Sequence, residues 1–452
     1  MNEVRALLRE AAQTSPQDET DLSAVLAGGR RRVRRRRLVV VGAVAAVAAA
    51  GTAVAVVAPG GTDPDRVAEH RVPRPDGPVL RLSDAGRAVA GRDYERVAAF
   101  TNKNLVWKNG RTFDGVTEDG QILIVELAND ITNQARLALR DPATGRDDWL
   151  PDIAPQLRPR PISLGRDRLV FSVDEGLDVP LRTLVLDRAT RTWSQRTWPG
   201  LPSSESYATA TGPDGRLYVG VRASAGSPPP GGWPTGPDGE AEDAGGEGDT
   251  YDLWSVSLTD SSDVRDEGLR VGSFDFTDTA LVWSAATNGT NDRIHVRDLA
   301  TGAEHDFDPR SGKRCNLLGF SATGDRIVLG QYCGTYDDGR DDRVQVLTTQ
   351  GRTVTTLQGD SIDGGLADGG TGGGGHLVAV QAWSGAEEGT YVYDLATDRF
   401  LRLTDSVSTY SVGGPTPAGE LLVGTAYGEG KAQDPDPGMD LGSTQTLIRW
   451  AS

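Results

Sequence analysis

Beyond residue 113 the chain alternates turn-forming clusters with short apolar runs, and the pair recurs seven times. The clusters are Glu118-Asp119-Gly120, Gly165-Arg166-Asp167, Pro213-Asp214-Gly215, Thr277-Asp278-Thr279, Thr323-Gly324-Asp325, Gly373-Gly374-Gly375 and Pro417-Ala418-Gly419. The apolar runs after them begin at Ile122, Leu169, Leu217, Leu281, Ile327, Leu377 and Leu421, with successive gaps of 47, 48, 64, 46, 50 and 44 residues. Short apolar, β-branched runs bounded by Gly, Pro and Asp read as strands. The long gap holds residues 226–250, rich in Pro, Gly and acids, with Trp233 as its only core-forming side chain. We expect a disordered insertion there, because such a composition buries too little apolar surface to offset chain ordering.

A second pattern falls at a fixed place in four of the units: Asp141-Pro-Ala-Thr144, Asp187-Arg-Ala-Thr190, Asp298-Leu-Ala-Thr301 and Asp394-Leu-Ala-Thr397. Each follows a short strand pattern and precedes another. Asp at the head of a turn accepts backbone N–H bonds two residues on, and Gly or Asp at the exit tolerates left-handed backbone. These quartets predict hairpin turns, so each unit carries four antiparallel strands. Four strands recurring every 40–50 residues predict an all-β fold, a seven-bladed β-propeller of four-stranded antiparallel blades over residues 94–452. Through lines such as Thr211-Gly-Pro-Asp-Gly-Arg-Leu-Tyr-Val219 and Val392-Tyr-Asp-Leu-Ala-Thr397 the chain resembles the TolB-like and WD-repeat propellers. The Gly-His and Trp-Asp signatures of WD repeats are missing, so the resemblance implies architecture and not that family's binding surface.

The last unit offers strands at Glu420–Gly424 and Thr446–Trp450, and the chain stops at Ser452 before a fourth. An open edge is an aggregation liability. Residues 96–108, with strand-like Val97–Phe100 and Leu105–Trp107, are expected to supply the outer strand and lock the ring. Cys315 and Cys333 each lie nine residues from Gly324. Across a hairpin such positions face each other with Cα atoms about 4.5–5.5 Å apart, a spacing that a disulfide bridges.

The N-terminus has a different pattern. Residues 38–58 (LVVVGAVAAVAAAGTAVAVVA) contain no ionisable side chain, and seven of the eight residues from Arg30 to Arg37 are Arg. A helix of that length crosses a roughly 30 Å hydrocarbon core. The flanking arginines keep the preceding tail in the cytoplasm. The expectation is therefore a cytoplasmic tail (1–37), a transmembrane helix (38–58), a linker (59–93) and an extracytoplasmic propeller (94–452). A cleaved signal peptide is the competing reading, and it fits poorly with a 37-residue leader and so long an apolar stretch. Apolar residues at 4, 7, 8 and 11 give the tail one short amphipathic helix, which docks on a cytoplasmic partner or lies on the membrane; the competing reading is a disordered stub whose arginine run only sets topology. Such a layout resembles that of actinobacterial single-pass proteins, some of which are paired with sigma factors.

Charge sharpens this division. The chain carries 47 basic and 64 acidic residues, a net of −17. Residues 1–37 hold nine Arg against five acids, so the acidity belongs to the segment beyond the apolar stretch. A nucleic-acid partner is not expected of so acidic a domain. Four His (70, 295, 305, 376) and the two Cys leave few soft metal ligands. Two acidic clusters, Asp337–Asp342 and Asp434–Asp440, have oxygen ligands for calcium but no EF-hand spacing, and are expected to be solvated loops. Gly369–Gly375 lacks the Lys-Ser/Thr and helix of a phosphate loop. No catalytic, cofactor or metal residues are expected, which leaves the cysteine pair as the one named site. The function expected is a membrane-held, non-catalytic propeller that binds a ligand or protein outside the cytoplasm and can signal through its tail. The alternative is an extracytoplasmic hydrolase or lyase that uses carboxylates at the mouth of the propeller channel.

Overall fold

The structure is a computed structural model that describes residues 77–102, 111–127, 135–153, 159–173, 180–226, 248–287, 293–309, 315–333, 341–359, 362–367, 375–383, 385–408, 414–427 and 442–451. The expected tail, the transmembrane segment 38–58 and most of the insertion 226–250 lie outside them. No helix among the described residues is long and apolar enough to cross a membrane.

Three strands precede the first repeat: β1 (Val79–Arg81), β2 (Gly86–Arg87) and β3 (Tyr94–Asn102). Blade 1 is β4 (Arg111–Val116), β5 (Ile122–Leu127), β6 (Ala135–Arg140) and β7 (Asp147–Trp149). Blade 2 is β8 (Pro159–Leu164), β9 (Arg168–Val173), β10 (Arg182–Asp187) and β11 (Thr192–Thr197). Blade 3 is β12 (Tyr207–Thr211), β13 (Leu217–Ser224), β14 (Thr250–Val256) and β15 (Val264–Val271). Blade 4 is β16 (Phe274–Phe276), β17 (Ala280–Ser284), β18 (Ile294–Asp298) and β19 (Glu304–Phe307). Blade 5 is β20 (Cys315–Thr323), β21 (Arg326–Cys333), β22 (Asp341–Thr348) and β23 (Thr353–Gly359). Blade 6 is β24 (Ile362–Ala367), β25 (Leu377–Ala382), β26 (Gly389–Asp394) and β27 (Arg399–Arg402). Blade 7 contributes β28 (Glu420–Tyr427) and β29 (Gly442–Trp450). Within each blade consecutive strands pair antiparallel. The seven-bladed propeller is as the repeat predicts.

Blades pack face to face, so both faces of their central strands are covered. That explains the unbroken apolar runs: β17 is buried at all five positions, whereas the outer strand β11 is mostly exposed. Seven hydrophobic clusters form, one in each wedge between neighbouring blades. The wedge that joins blade 7 to blade 1 unites Leu447 with Phe113, Ile122 and Ile124, so the circle closes on apolar contact. The four Asp quartets form turns: Asp141 accepts from Ala143 N, Asp187 from Thr190 N, Asp298 from Thr301 N and Asp394 from Ala396 N.

Closure comes from β3, which pairs antiparallel with β29 from Tyr94↔Trp450 to Asn102↔Ser443. The expected outer strand is real and begins at Tyr94, while Leu105–Trp107 lies outside the described residues. Asp93 pins the entry to it. Its side chain is fully buried and accepts Val89 N at 2.7 Å, Arg92 and the Arg399 guanidinium of blade 6. Its carbonyl accepts Ala451 N at 2.9 Å.

The expected linker 59–93 requires correction over its described part. Residues 77–93 run along the outer rim, where β1 adds parallel to β23 and β2 adds parallel to β27. Blades 5 and 6 thereby gain a fifth strand. The physical reason is that an open sheet edge presents unpaired N–H and C=O groups, and a neighbouring extended segment satisfies them. Hydrophobic pattern alone does not reveal this, because β1 and β2 span only three and two residues.

Candidate functional site

The wedge between blades 1 and 2 opens, at the end where the Asp quartets lie, into a cleft of about 320 Å³. Leu139 on β6, Leu150 after β7 and Leu186 on β10 form its floor, three side chains of the cluster that welds these blades together. Gln121, Asp148, Arg166, Asp167, Arg188 and Arg191 form its walls. An apolar floor with a few convergent polar groups is the usual build of a small-molecule or side-chain site.

The arginines come from the turn chemistry of blade 2. Its quartet continues as Asp187-Arg188-Ala189-Thr190-Arg191, whereas the other three have Pro142, Leu299 or Leu395 at the second place and Gly145, Gly302 or Asp398 at the exit. The exit position is left-handed in all four, with φ of 68° at Gly145, 56° at Arg191, 71° at Gly302 and 57° at Asp398. For Arg this conformation costs about 1 kcal/mol. The tertiary structure holds it there, because the guanidinium donates to Asp148 at 2.7 Å and to the Trp149 carbonyl at 2.5 Å. Non-glycine residues in this region concentrate where function retains them.

Arg188 reaches across the wedge. Its two terminal nitrogens donate to Asp119 of blade 1 at 2.8 and 2.9 Å, to Gln121 at 2.5 Å and to the Arg166 carbonyl at 2.7 Å. The Arg188 guanidinium pulls the Asp119 carboxyl down to about 2. Arg166 and Asp167, by contrast, are exposed, and their side chains have no partner among the described residues. The mouth therefore offers one free cation and one free anion side by side above an apolar floor.

Two inner-strand carboxyls are also perturbed. Asp114 sits where the β4–β5 register shifts between Phe113 and Val116, a bulge that re-aims its side chain. Burial pushes it up to about 6, against the opposing charge of Arg160 on the next inner strand. Asp275 on β16 bridges blades 4 and 5, accepting Ala322 N at 2.7 Å and Phe276 N at 2.8 Å. Burial pushes it up to about 7 even though both N–H groups favour the charged form. These groups belong to blades 1 and 4, which are not neighbours, and they make no carboxyl pair.

Cys315 and Cys333 are register partners on β20 and β21, but by a route the spacing does not show. Thr323 pairs with Arg326 around the two-residue turn Gly324-Asp325, and an unbroken ladder from there sets Cys333 opposite Asn316. A register shift between Leu317 and Gly319 realigns the two cysteines. Their side chains lie outside the described ones. No group of His, Cys, Asp or Glu that can hold a metal occurs among the described residues. Of the acidic clusters only Asp341 and Asp342 are described, both on β22. His295 stacks on Trp283 at 5.1 Å, and His305 Nε2 lies 2.8 Å from the Thr349 carbonyl, which are structural placements.

The cleft's arginines were legible as departures within a repeat. Aligning the four Asp quartets singles out Arg188 and Arg191, a signal that reading the quartets as uniform turns passes over.

No family model matches the chain, and no curated protein matches it. Among solved structures, TolB from Acinetobacter baumannii is similar at 15% identity over 56% of this chain, with a TM-score of 0.34. The chain spans 55% of the length of that protein. The β-propeller domain of the Trilobed protease from Pyrococcus furiosus, described as having an open velcro topology, is similar at 11% identity. That match covers 70% of this chain and 91% of the other, with a TM-score of 0.42. A chain from a study of two prolyl endopeptidases is similar at 13% identity over 74% of this chain and 51% of its own, with a TM-score of 0.38.

Proposed function

We propose that the chain is a single-pass membrane protein whose non-catalytic propeller lies outside the cytoplasm and binds a small zwitterionic ligand or peptide terminus between blades 1 and 2. The observation that carries this reading is the cleft itself: free Arg166 and Asp167 at the mouth, a leucine floor, and Arg188 and Arg191 held on its wall. An amino acid or short peptide presents a carboxylate, an ammonium and an apolar side chain, which match these three features. Membrane anchoring is supported by residues 38–58 and the preceding arginine cluster, and a Cys315–Cys333 disulfide by their register and an oxidising location. The tail then docks on a cytoplasmic protein and carries the ligand signal inward.

The test is calorimetric titration of the full chain in detergent with a panel of free amino acids and dipeptides. Binding of at least one probe, lost when Arg166 and Asp167 are exchanged (R166D/D167R), is the expected result. Binding that survives the exchange, or no binding across the panel, removes the cleft from consideration. Cysteine accessibility scored separately at residues 20 and 100 in intact cells reads the topology, and non-reducing peptide mapping reads the disulfide.

The second reading, a hydrolase or lyase, is favoured by Asp114, whose raised carboxyl suits proton exchange near neutral pH. A hydrolytic activity abolished by Asp114→Asn with ligand binding retained would move the assignment to it.

A further inference from the structure

The outer rim has two kinds of edge. The edges of blades 5 and 6 are capped by β1 and β2, and the outer strand of blade 7 is β3 itself. Among the described residues, blades 1 to 4 end on β7, β11, β15 and β19, each the last strand of its sheet. Soluble proteins blunt such edges with shortness, charge or bulges. β7 is three residues long with Asp147 and Asp148, and β19 is four residues long with Glu304 and Asp306. β15 is longer but carries a bulge opposite Leu253 and Trp254, together with Arg265, Asp266, Glu267 and Arg270.

β11 has the least of these protections. It pairs with β10 over six consecutive residues without a register shift, and Arg196 is its one charge. Thr192, Ser194, Gln195 and Thr197 are exposed. The chain's own β1 and β2 already add strands at the corresponding outer edge of two other blades, so the rim accommodates a further strand.

Self-pairing has a strict geometric rule. Two identical antiparallel strands related by a two-fold axis perpendicular to their sheet keep the same side chains facing up in both copies. Directly opposite residues point to the same face, so the axis must pass through a residue pair of equal number. For β7 that sets Asp148 against Asp148, and for β19 it sets Glu304 against Asp306 or Asp306 against itself, all like-charge contacts that destabilise. For β11 the axis falls at Ser194 or Gln195, and Arg196 then meets Thr192 or Ser194. β11 is self-compatible at either position, whereas β7 and β19 clash and β15 is bulged.

We infer that two copies of this chain associate through β11, forming one continuous sheet across two blades 2. β11 begins directly after Arg191 of the cleft wall, but none of its own residues lines the cleft, and the inference stands independently of the proposed ligand. The experiment uses the full chain in detergent, with mass by light scattering and cross-linking of single-cysteine substitutions. A dimer is expected, and either Ser194→Cys or Gln195→Cys forms a reductant-sensitive dimer band absent from the unsubstituted protein. The double variant S194K/Q195K, which sets lysines against each other in both registers, is expected to be monomeric with an unchanged melting temperature. A monomeric parent chain, a lysine variant that stays dimeric, or cross-linking by neither cysteine overturns the inference.

Discussion

Blades 5 to 7 and blades 1 to 4 solve the same problem differently. In the first arc the N-terminal segment lies along the rim and completes the sheets, and Asp93 is enclosed where that segment turns into β3. In the second arc the outer strands end the sheets, and charge, brevity and a bulge protect three of the four edges. Both unusual arginines of the quartet turns, and the cleft they line, belong to the open arc. The difference teaches where the molecule invests structure. The covered arc closes the ring, and the open arc keeps polar groups available. Neighbouring blades thus play separate roles although they share one repeat.

The strongest break of this comparison is removal of residues 94–102. Without β3, the edge of β29 and the wedge cluster holding Val97, Ala98 and Phe100 are exposed. We expect the single cooperative melting transition to be lost, as followed by calorimetry, and an unchanged transition would assign closure to other contacts. Next is Asp93→Ala, which strands three donors and should destabilise by about 2 kcal/mol in denaturant titration. The arginines hold Asp93 well below the usual carboxylate range, so its contribution is present at neutral pH and fades as pH falls below about 4.

Asp275, at the border of the two arcs, has the opposite sign. Its folded-state carboxyl is raised to about 7 from an ordinary value of 3.8, so its contribution is complete below the ordinary value and is lost as pH rises toward 7. Melting temperature should therefore fall between pH 5 and pH 8 by the equivalent of about 2–3 kcal/mol, and Asp275→Asn should flatten that slope. A slope unchanged in the variant would assign the effect to Asp114. Smaller still is Arg191→Gly, which relieves the left-handed strain while removing the bond to Asp148. Stability should change by less than about 1 kcal/mol, with ligand affinity reduced, as read by calorimetric titration. The least effect is expected of Arg87→Ala, whose solvent-exposed pair with Asp405 should leave the melting temperature essentially unchanged.

Several of these features are legible before folding. The Asp quartets announce their turns because the hydrogen bonds that stabilise them lie within four residues. The apolar runs announce blade strands because both faces are covered. Arg188 is different: nothing near it in the chain says that Asp119, 69 residues earlier, accepts from it. The cysteine register illustrates a subtler case. Equal spacing about Gly324 suggests the pairing, yet the turn that forms does not by itself produce it, and the shift after Leu317 supplies the missing residue.

By itself the amino-acid order determined the number of blades and the position of their turns. Both are written in a local period. Only the tertiary structure decided that the segment before β3 clasps blades 5 and 6, that two arginines of one turn meet two aspartates of the neighbouring blade, and that burial pushes the Asp275 carboxyl up to about 7. Those outcomes depend on which blade lies beside which and on how much water is excluded between them, and no local pattern encodes either quantity.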